Sequence, residues 1–208
     1  GVLGSNLSED SGGLGMDQVA LALMVEEMGY VGLPEPVAEQ TFLINDLLHL
    51  LPAVIKEKIQ EHHMSGAAYI SVAHPLAPNP MFLNESAGLL LFEEGSYQFA
   101  AIDDLEFEEI TSNDPSRELT KITSINNSLS STENFEMLNS AVSSRGALMT
   151  ASLLIGLSQK MIDLSSAYAL DRTQFGKPIG SFQAVKHMLA DVAVAIEFAR
   201  PAVYRAAY

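Results

Sequence analysis

The 208-residue sequence predicts an α+β fold with an N-terminal helical domain, a small, mostly antiparallel β domain, and a C-terminal helical bundle that is incomplete. Three observations predict it. Apolar residues recur at helical spacing up to about residue 63, short apolar or β-branched runs replace them over 64–125, and helical spacing returns beyond Phe135. The expected domains are therefore 1–63, 64–125 and 126–208.

The first region opens on a turn, "SEDSGGLGMD", and then places Val19, Leu23, Val25 and Met28 among Glu26 and Glu27, which predicts an amphipathic helix over Met16–Tyr30. Asp17 is a first-turn acid favoured by the helix dipole. Gly29 to Pro36 reads as a break, Glu35–Leu51 as a second helix, and Pro52 as the opening of a third over Ala53–His62. "GAAYISVAH", "AGLLLFEEG", "YQFAAI" and "ELTKITS" then read as strands, and "HPLAPNP" as a loop. "INNSLSSTEN" reads as a polar linker ending near a helix N-cap. Ala147–Leu157 is apolar on nearly every side and predicts a central, buried helix. Val185, Met188, Leu189, Val192, Ile196, Ala199 and Val203 predict a final helix. Between these two, "DRTQFGKPIGSFQAVKH" interrupts the pattern, because Gly176, Pro178 and Gly180 oppose a continuous helix. Gly1 opens inside a turn and Tyr208 stops within a helical pattern, so the sequence reads as a fragment at both ends.

Composition removes several function classes. With 11 Lys and Arg against 26 Asp and Glu, the formal charge of −15 repels a phosphate backbone or an anionic membrane surface, so no nucleic-acid partner is expected. No membrane insertion is expected either, since the longest nearly apolar run is too short to span a bilayer. The absence of cysteine excludes disulfides, thiolate nucleophiles and thiolate metal sites, and fits a cytoplasmic location. The scattered His49, His62, His63, His74 and His187 predict no metal site.

Motifs for nucleotide triphosphates, dinucleotides and zinc proteases are missing. "GLSQK" at 156–160 begins like a nucleophile elbow but lacks the closing glycine and lies in a helical pattern. "SGGLG" at 11–15 is either a tight turn or a phosphate cradle; the turn is favoured because no Lys, Ser or Thr follows in the binding position. The acidic stretch 103–109 reads as a solvated strand-and-turn face rather than a carboxylate pair. The break at 171–187 stands apart. A helix that stops at Arg172 and restarts near Ser181 gathers backbone N–H groups, a guanidinium and the amides of Gln174 and Gln183, with Phe175 available to wall off a planar ligand. The plain alternative is a helical hairpin with Ser181 as N-cap.

Residues 168–200, "YALDRTQFGKPIGSFQAVKHMLADVAVAIEFAR", closely resemble the signature Y-A-x-x-R-x-x-F-G-x-x-I-x-x-x-Q of the acyl-CoA dehydrogenase family. "SEDSGGLGMDQVALALMVEEMGY" resembles that family's N-terminal P-E-E-x-G-G-L-G stretch, and the order of helical, β and helical regions agrees. The resemblance implies oxidation of an acyl-CoA thioester to the trans-2-enoyl-CoA. A carboxylate takes the α-proton while the β-hydrogen passes as hydride to FAD, and electrons then go to an electron-transfer flavoprotein or similar acceptor. It places Arg172 on the FAD pyrophosphate, with Gln174, Phe175 and Gln183 completing that side. These residues reach FAD held mainly by a neighbouring subunit, so a homo- or hetero-oligomer is implied.

The departures are as informative. The family's T-E-P loop and W-I-T/S segment, which hydrogen-bond the flavin, are replaced by "SVAHPLAPNP" and a short β region. The usual catalytic Glu falls beyond Tyr208. Some relatives carry it on the first bundle helix, where counting back from Arg172 reaches Gly146, and an Arg that helps hold CoA falls near Ala147, with Arg145 out of register. No catalytic base is assigned. The compact β region and "DPSRELTKITS" resemble a subgroup acting on steroid side chains or dicarboxylyl-CoA, often as two-gene heteromers. The alternative function is therefore a non-catalytic dehydrogenase-like subunit that completes a partner's FAD site.

Overall fold

A computed structural model describes residues 2–63, 66 and 68–208. Gly1, and Met64, Ser65 and Ala67 at the entry to the strand region, lie outside the described residues. Among the described residues, six α-helical segments and eight strands follow in order: α1 (Gln18–Val31), α2 (Val37–Glu39), α3 (Asn45–Leu47), α4 (Ala53–His63), β1 (Tyr69–Ala73), β2 (Ser86–Glu93), β3 (Ser96–Ala101), β4 (Leu105–Ile110), β5 (Leu119–Ile125), β6 (Leu129–Ser131), α5 (Phe135–Asp171), β7 (Thr173–Gln174), β8 (Lys177–Pro178) and α6 (Gln183–Ala207). The chain forms two compact units, one of Gly1–Met16 with Pro34–Ala147 and one of Asp17–Leu33 with Leu148–Tyr208.

In the first unit a four-stranded sheet has the order β1-β2-β3-β6. β1 lies parallel to β2, the other pairs are antiparallel, and β4 with β5 forms a separate antiparallel ribbon. One core cluster packs Ile44, Leu47, Leu48, Ile55 and Ile59 of the helical segments with Ile70, Leu90, Phe92, Tyr97 and Phe99 of the sheet and Leu138 of α5. A second joins Ala73, Leu83, Leu89, Ala100 and Leu105. The segment read as a linker is structural: Leu129–Ser131 pairs with β3 as a polar edge strand whose serines carry no apolar alternation for sequence reading to find. Asn134 sits at φ 54 before α5, and its amide donates to the Leu50 carbonyl instead of capping the helix. The acidic stretch is the solvated face expected, with Glu106, Glu108 and Glu109 exposed on β4.

The second helix of the sequence reading is one helical run, α2 and α3 joined by a π-turn over Gln40–Ile44. Such turns widen the helix by one residue and change which side chains share a face. The glycine-rich opening is a turn: Gly13 admits no Cβ, which would lie 2.2 Å from the Leu7 carbonyl oxygen.

In the second unit Asp17 is the N-cap of α1, its carboxylate accepting from the Ala20 N–H at 2.8 Å. Asp17→Ala is expected to cost about 1 kcal/mol, measured as a lower urea midpoint. Gly29 is not a break. α1 continues to Val31 and ends on Gly32 at φ 70, a left-handed C-cap. Ile155 and Ile162 of α5 meet Ile196 of α6, with Leu189, Ala193 and Val203 packed around them. The expectation that Ala147–Leu157 is wholly buried fails, because Leu154 is 54% and Leu157 40% exposed. Met188 and Val192 of the predicted α6 stripe are exposed as well. Among the described residues α5 is the one helix long and apolar enough to cross a membrane by length and composition, a test that a core helix of a folded unit also passes.

Candidate functional site

The break between α5 and α6 lies entirely in the second unit. α5 ends where the Arg172 N–H donates to the Tyr168 carbonyl, and the Arg172 carbonyl then accepts from the Ile179 N–H, both at 2.8 Å. Thr173 pairs with Pro178 and Gln174 with Lys177, leaving Phe175 and Gly176 as a two-residue hairpin turn. Both turn residues have positive φ, 53 and 77, the pattern of a type I′ turn. Gly176 adopts this conformation without cost, whereas Phe175 is strained there by about 1 kcal/mol. The chain then closes on itself: a Cβ on Gly180 would lie 3.0 Å from the Ala169 carbonyl oxygen. Ser181 does not cap α6. Its hydroxyl donates to the Pro178 carbonyl at 2.7 Å, and the N-cap position is Phe182, which supplies no side-chain cap.

This geometry turns the polar groups outward. Arg172, Gln174 and Gln183 are exposed, and the Phe175 ring is 92% exposed. Among the described residues the Arg172 guanidinium has no ion-pair partner. Gln174 donates to its neighbour Thr173's carbonyl at 2.9 Å. Phe175 meets Phe182 edge-on with centroids 6.2 Å apart, and Lys177 Nζ stands 4.5 Å over the Phe182 ring. An exposed guanidinium just past the end of α5, and a start of α6 that no side chain caps, are donors suited to phosphate oxygens. The chemistry of these groups thus fits a pyrophosphate-bearing planar cofactor on one side, with the aromatic ring available for apolar contact.

Deeper in the same unit, Glu26 accepts from Arg200 Nε at 3.0 Å and from the Tyr204 hydroxyl at 2.6 Å, while Arg200 Nη2 reaches Gln159 at 3.2 Å. Burial first, and then the Glu26 carboxylate, push the Tyr204 phenol up to about 12. Every carboxylate and cation here is committed to a partner, which makes this a structural network. Its members lie far apart in the sequence, and no motif announced them.

In the first unit the residues considered for catalysis are occupied elsewhere. Gly146 has Leu43 Cδ2 4.0 Å from where its Cβ would be, and Arg145 Nε pairs with Asp46 at 2.8 Å. The segment replacing the T-E-P loop folds into a tight turn on buried His74, whose Nδ1 accepts from the Leu76 N–H at 3.1 Å and whose Nε2 lies 2.9 Å from Asn139 Oδ1. Since Nδ1 accepts, the ring proton is on Nε2.

Residues 139–208 match the family model for the acyl-CoA dehydrogenase C-terminal domain. Acyl-CoA dehydrogenase IpdE2 of Mycobacterium tuberculosis is 28% identical over 95% of this chain, which spans 58% of that relative's length. A variant of the Tcur3481–Tcur3483 steroid ACAD superposes with a TM-score of 0.83 at 20% identity, covering 99% of this chain and 64% of that one. PigA with FAD and proline superposes with a TM-score of 0.81 at 17% identity, covering 100% and 67%. Likeness at such low identity establishes the fold, and the C-terminal match falls on the region that carries the Arg-x-x-Phe-Gly turn. Residues 139–208 thus match the C-terminal domain of that family, and along almost its whole length the chain is similar to IpdE2.

Proposed function

We propose that this chain serves the FAD-dependent oxidation of an acyl-CoA to its trans-2-enoyl-CoA. The exposed donor set at the α5–α6 break carries the reading: an Arg172 guanidinium with no ion-pair partner among the described residues, Gln183 exposed at an uncapped helix start, and Phe175 92% exposed. When bound, FAD supplies the hydride acceptor. Arg172 and the first turn of α6 would hold pyrophosphate oxygens, Gln183 would add an amide donor, and Phe175 would shield an apolar edge. Gln174 would have to leave the Thr173 carbonyl to take part. Electrons would pass on to an electron-transfer flavoprotein or similar acceptor. The PigA structure with FAD supports the cofactor, and the steroid ACAD supports a steroid-derived substrate; the dicarboxylyl-CoA alternative rests on the sequence resemblance alone.

A second reading rests on a different observation. Gly146 offers no carboxylate and Arg145 is tied to Asp46, so no residue is assigned as base or CoA anchor. The tight turn on His74 that stands in place of the T-E-P loop supports a subunit that lends Arg172 and Phe175 to a partner's flavin.

The test is flavin retention. Arg172→Ala removes a charge-assisted phosphate contact, expected to weaken FAD binding by roughly 10- to 100-fold, read as lost absorbance near 450 nm with unchanged circular dichroism. Turnover with a dye acceptor and an acyl-CoA panel selects the enzyme reading. Turnover that needs an added partner chain selects the second. Flavin retention indifferent to Arg172 removes both.

A further inference from the structure

The first unit contains a buried polar cluster that has no part in the function proposed above. His63, the last residue of α4, is 1% exposed, and its two ring nitrogens face two amide oxygens. Nε2 lies 2.5 Å from Asn45 Oδ1 and Nδ1 lies 3.2 Å from Gln40 Oε1. Gln40 and Asn45 are five positions apart. In a regular α-helix they would point about 140° apart. The π-turn over Gln40–Ile44 inserts the extra residue that brings both amides to one side.

The orientation of each amide is fixed by backbone. Gln40 Nε2 donates to the Ile70 carbonyl at 2.9 Å, and the Ile70 N–H donates to Gln40 Oε1 at 3.1 Å. Asn45 Nδ2 donates to the Leu3 carbonyl and to Asn6 Oδ1, both at 2.6 Å. Both oxygens are thus held toward the ring. A neutral imidazole donates to only one of them. The shorter contact assigns the proton to Nε2 and leaves the Nδ1 lone pair opposite an oxygen already used by Ile70.

Among the described residues the ring nitrogens meet the amides of Gln40 and Asn45, and no carboxylate. From the helical run the ring's polar partners are the amides of Gln40 and Asn45, backed by the Ile70 backbone of β1 and by Leu3 and Asn6 of the opening segment. The titratable and charged groups along these elements are Glu9 and Asp10 of the opening segment, Glu39, Asp46 and His49 of the helical run, Lys56, Glu57, Lys58, Glu61 and His62 of α4, and Tyr69 of β1. Asp46 accepts from Asn6 at 2.8 Å and pairs with Arg145. Burial, with no opposing charge, pushes His63 down to about 4. A proton added inside the site has oxygens to bond but no counter-charge.

We propose that His63, Gln40 and Asn45 form an acid-released latch, which holds the opening segment and β1 to the helical run while the ring is neutral and lets go on acidification. The open state titrates near the ordinary value of 6.5 and the closed state near 4, so the open state binds more protons between these limits. Closure is complete above pH 6.5 and weakens as pH falls toward 4. At pH 5 the opening equilibrium should rise roughly 30-fold.

The test is amide hydrogen exchange of the whole protein at about pH 7.5 and 5, corrected for intrinsic rates. Backbone amides of residues 3–7, 59–63 and 69–73 should lose protection by roughly that factor, while β4 and β5 should not. His63→Gln keeps a neutral donor and should make protection in those segments independent of pH. The same acid response in His63→Gln, or none in the wild type, overturns the latch. Should that variant not fold, nitrogen NMR of the wild-type histidines decides: a neutral His63 ring at pH 5.5 supports the latch, and a charged ring at pH 7 overturns it.

Discussion

Gly156→Ala is expected to destabilise the second unit by at least 3 kcal/mol, the upper end of what overpacking costs. On an isolated helix the same change would stabilise by about 1 kcal/mol, since alanine is the better helix former. Packing reverses the sign. A Cβ on Gly156 would lie 1.8 Å from the Glu26 carbonyl oxygen and 2.6 Å from the Tyr30 nitrogen. Facing it, a Cβ on Gly29 would lie 2.2 Å from the Leu153 carbonyl oxygen. These atoms are backbone, so no rotamer change relieves the clash, and α1 must move off α5. Movement would also strain the Glu26 contacts to Arg200 and Tyr204. Gly29→Ala should cost a similar amount. The double variant should cost less than the sum, because helices already parted accept the second methyl group. Urea titration followed by circular dichroism measures all three. An increase in stability for either single variant would show that the helices do not cross at these glycines.

That crossing shows what the sequence could and could not reveal. Both glycines were visible, but as punctuation: Gly29 as a helix break and Gly156 as half of a nucleophile elbow. Glycine inside a helical pattern has two meanings, a stop or a close approach, and only the partner helix decides between them. The helices themselves were legible because apolar periodicity is local. The two-sided burial expected of Ala147–Leu157 was not, since apolar composition does not specify how many neighbours arrive; Leu154 and Leu157 face outward. At the α5–α6 break the interruption was legible from Gly176, Pro178 and Gly180, while the orientation of its donors was not. The sequence could not tell that Gln174 folds back onto Thr173 or that Ser181 bonds Pro178. The His63 cluster was out of reach for a further reason. Its amides lie 23 and 18 positions from the histidine, and a π-turn has no composition signal of its own.

In the first unit the largest single effect is expected at Tyr97. Tyr97→Ala should cost about 3–5 kcal/mol, the range for emptying a buried aromatic site. The ring is fully buried in the main core, with its centroid 5.8 Å from that of Phe92 at an interplanar angle of 28°. Its hydroxyl donates to the Glu133 carbonyl at 2.9 Å, just before α5 begins. Tyr97 also pairs in register with Ser131, so one side chain joins the core, the edge strand β6 and the approach to the long helix. Tyr97→Phe separates these roles. It keeps the ring and loses the hydrogen bond, and should cost about 1 kcal/mol. The remainder of the alanine effect is then cavity and lost apolar contact, because neighbours in a close-packed core relax only partly. If the two substitutions cost the same, the hydroxyl would dominate and the aromatic stack would contribute little. A small loss in Tyr97→Phe followed by a large one in Tyr97→Ala assigns the stability of this unit to packing around the sheet.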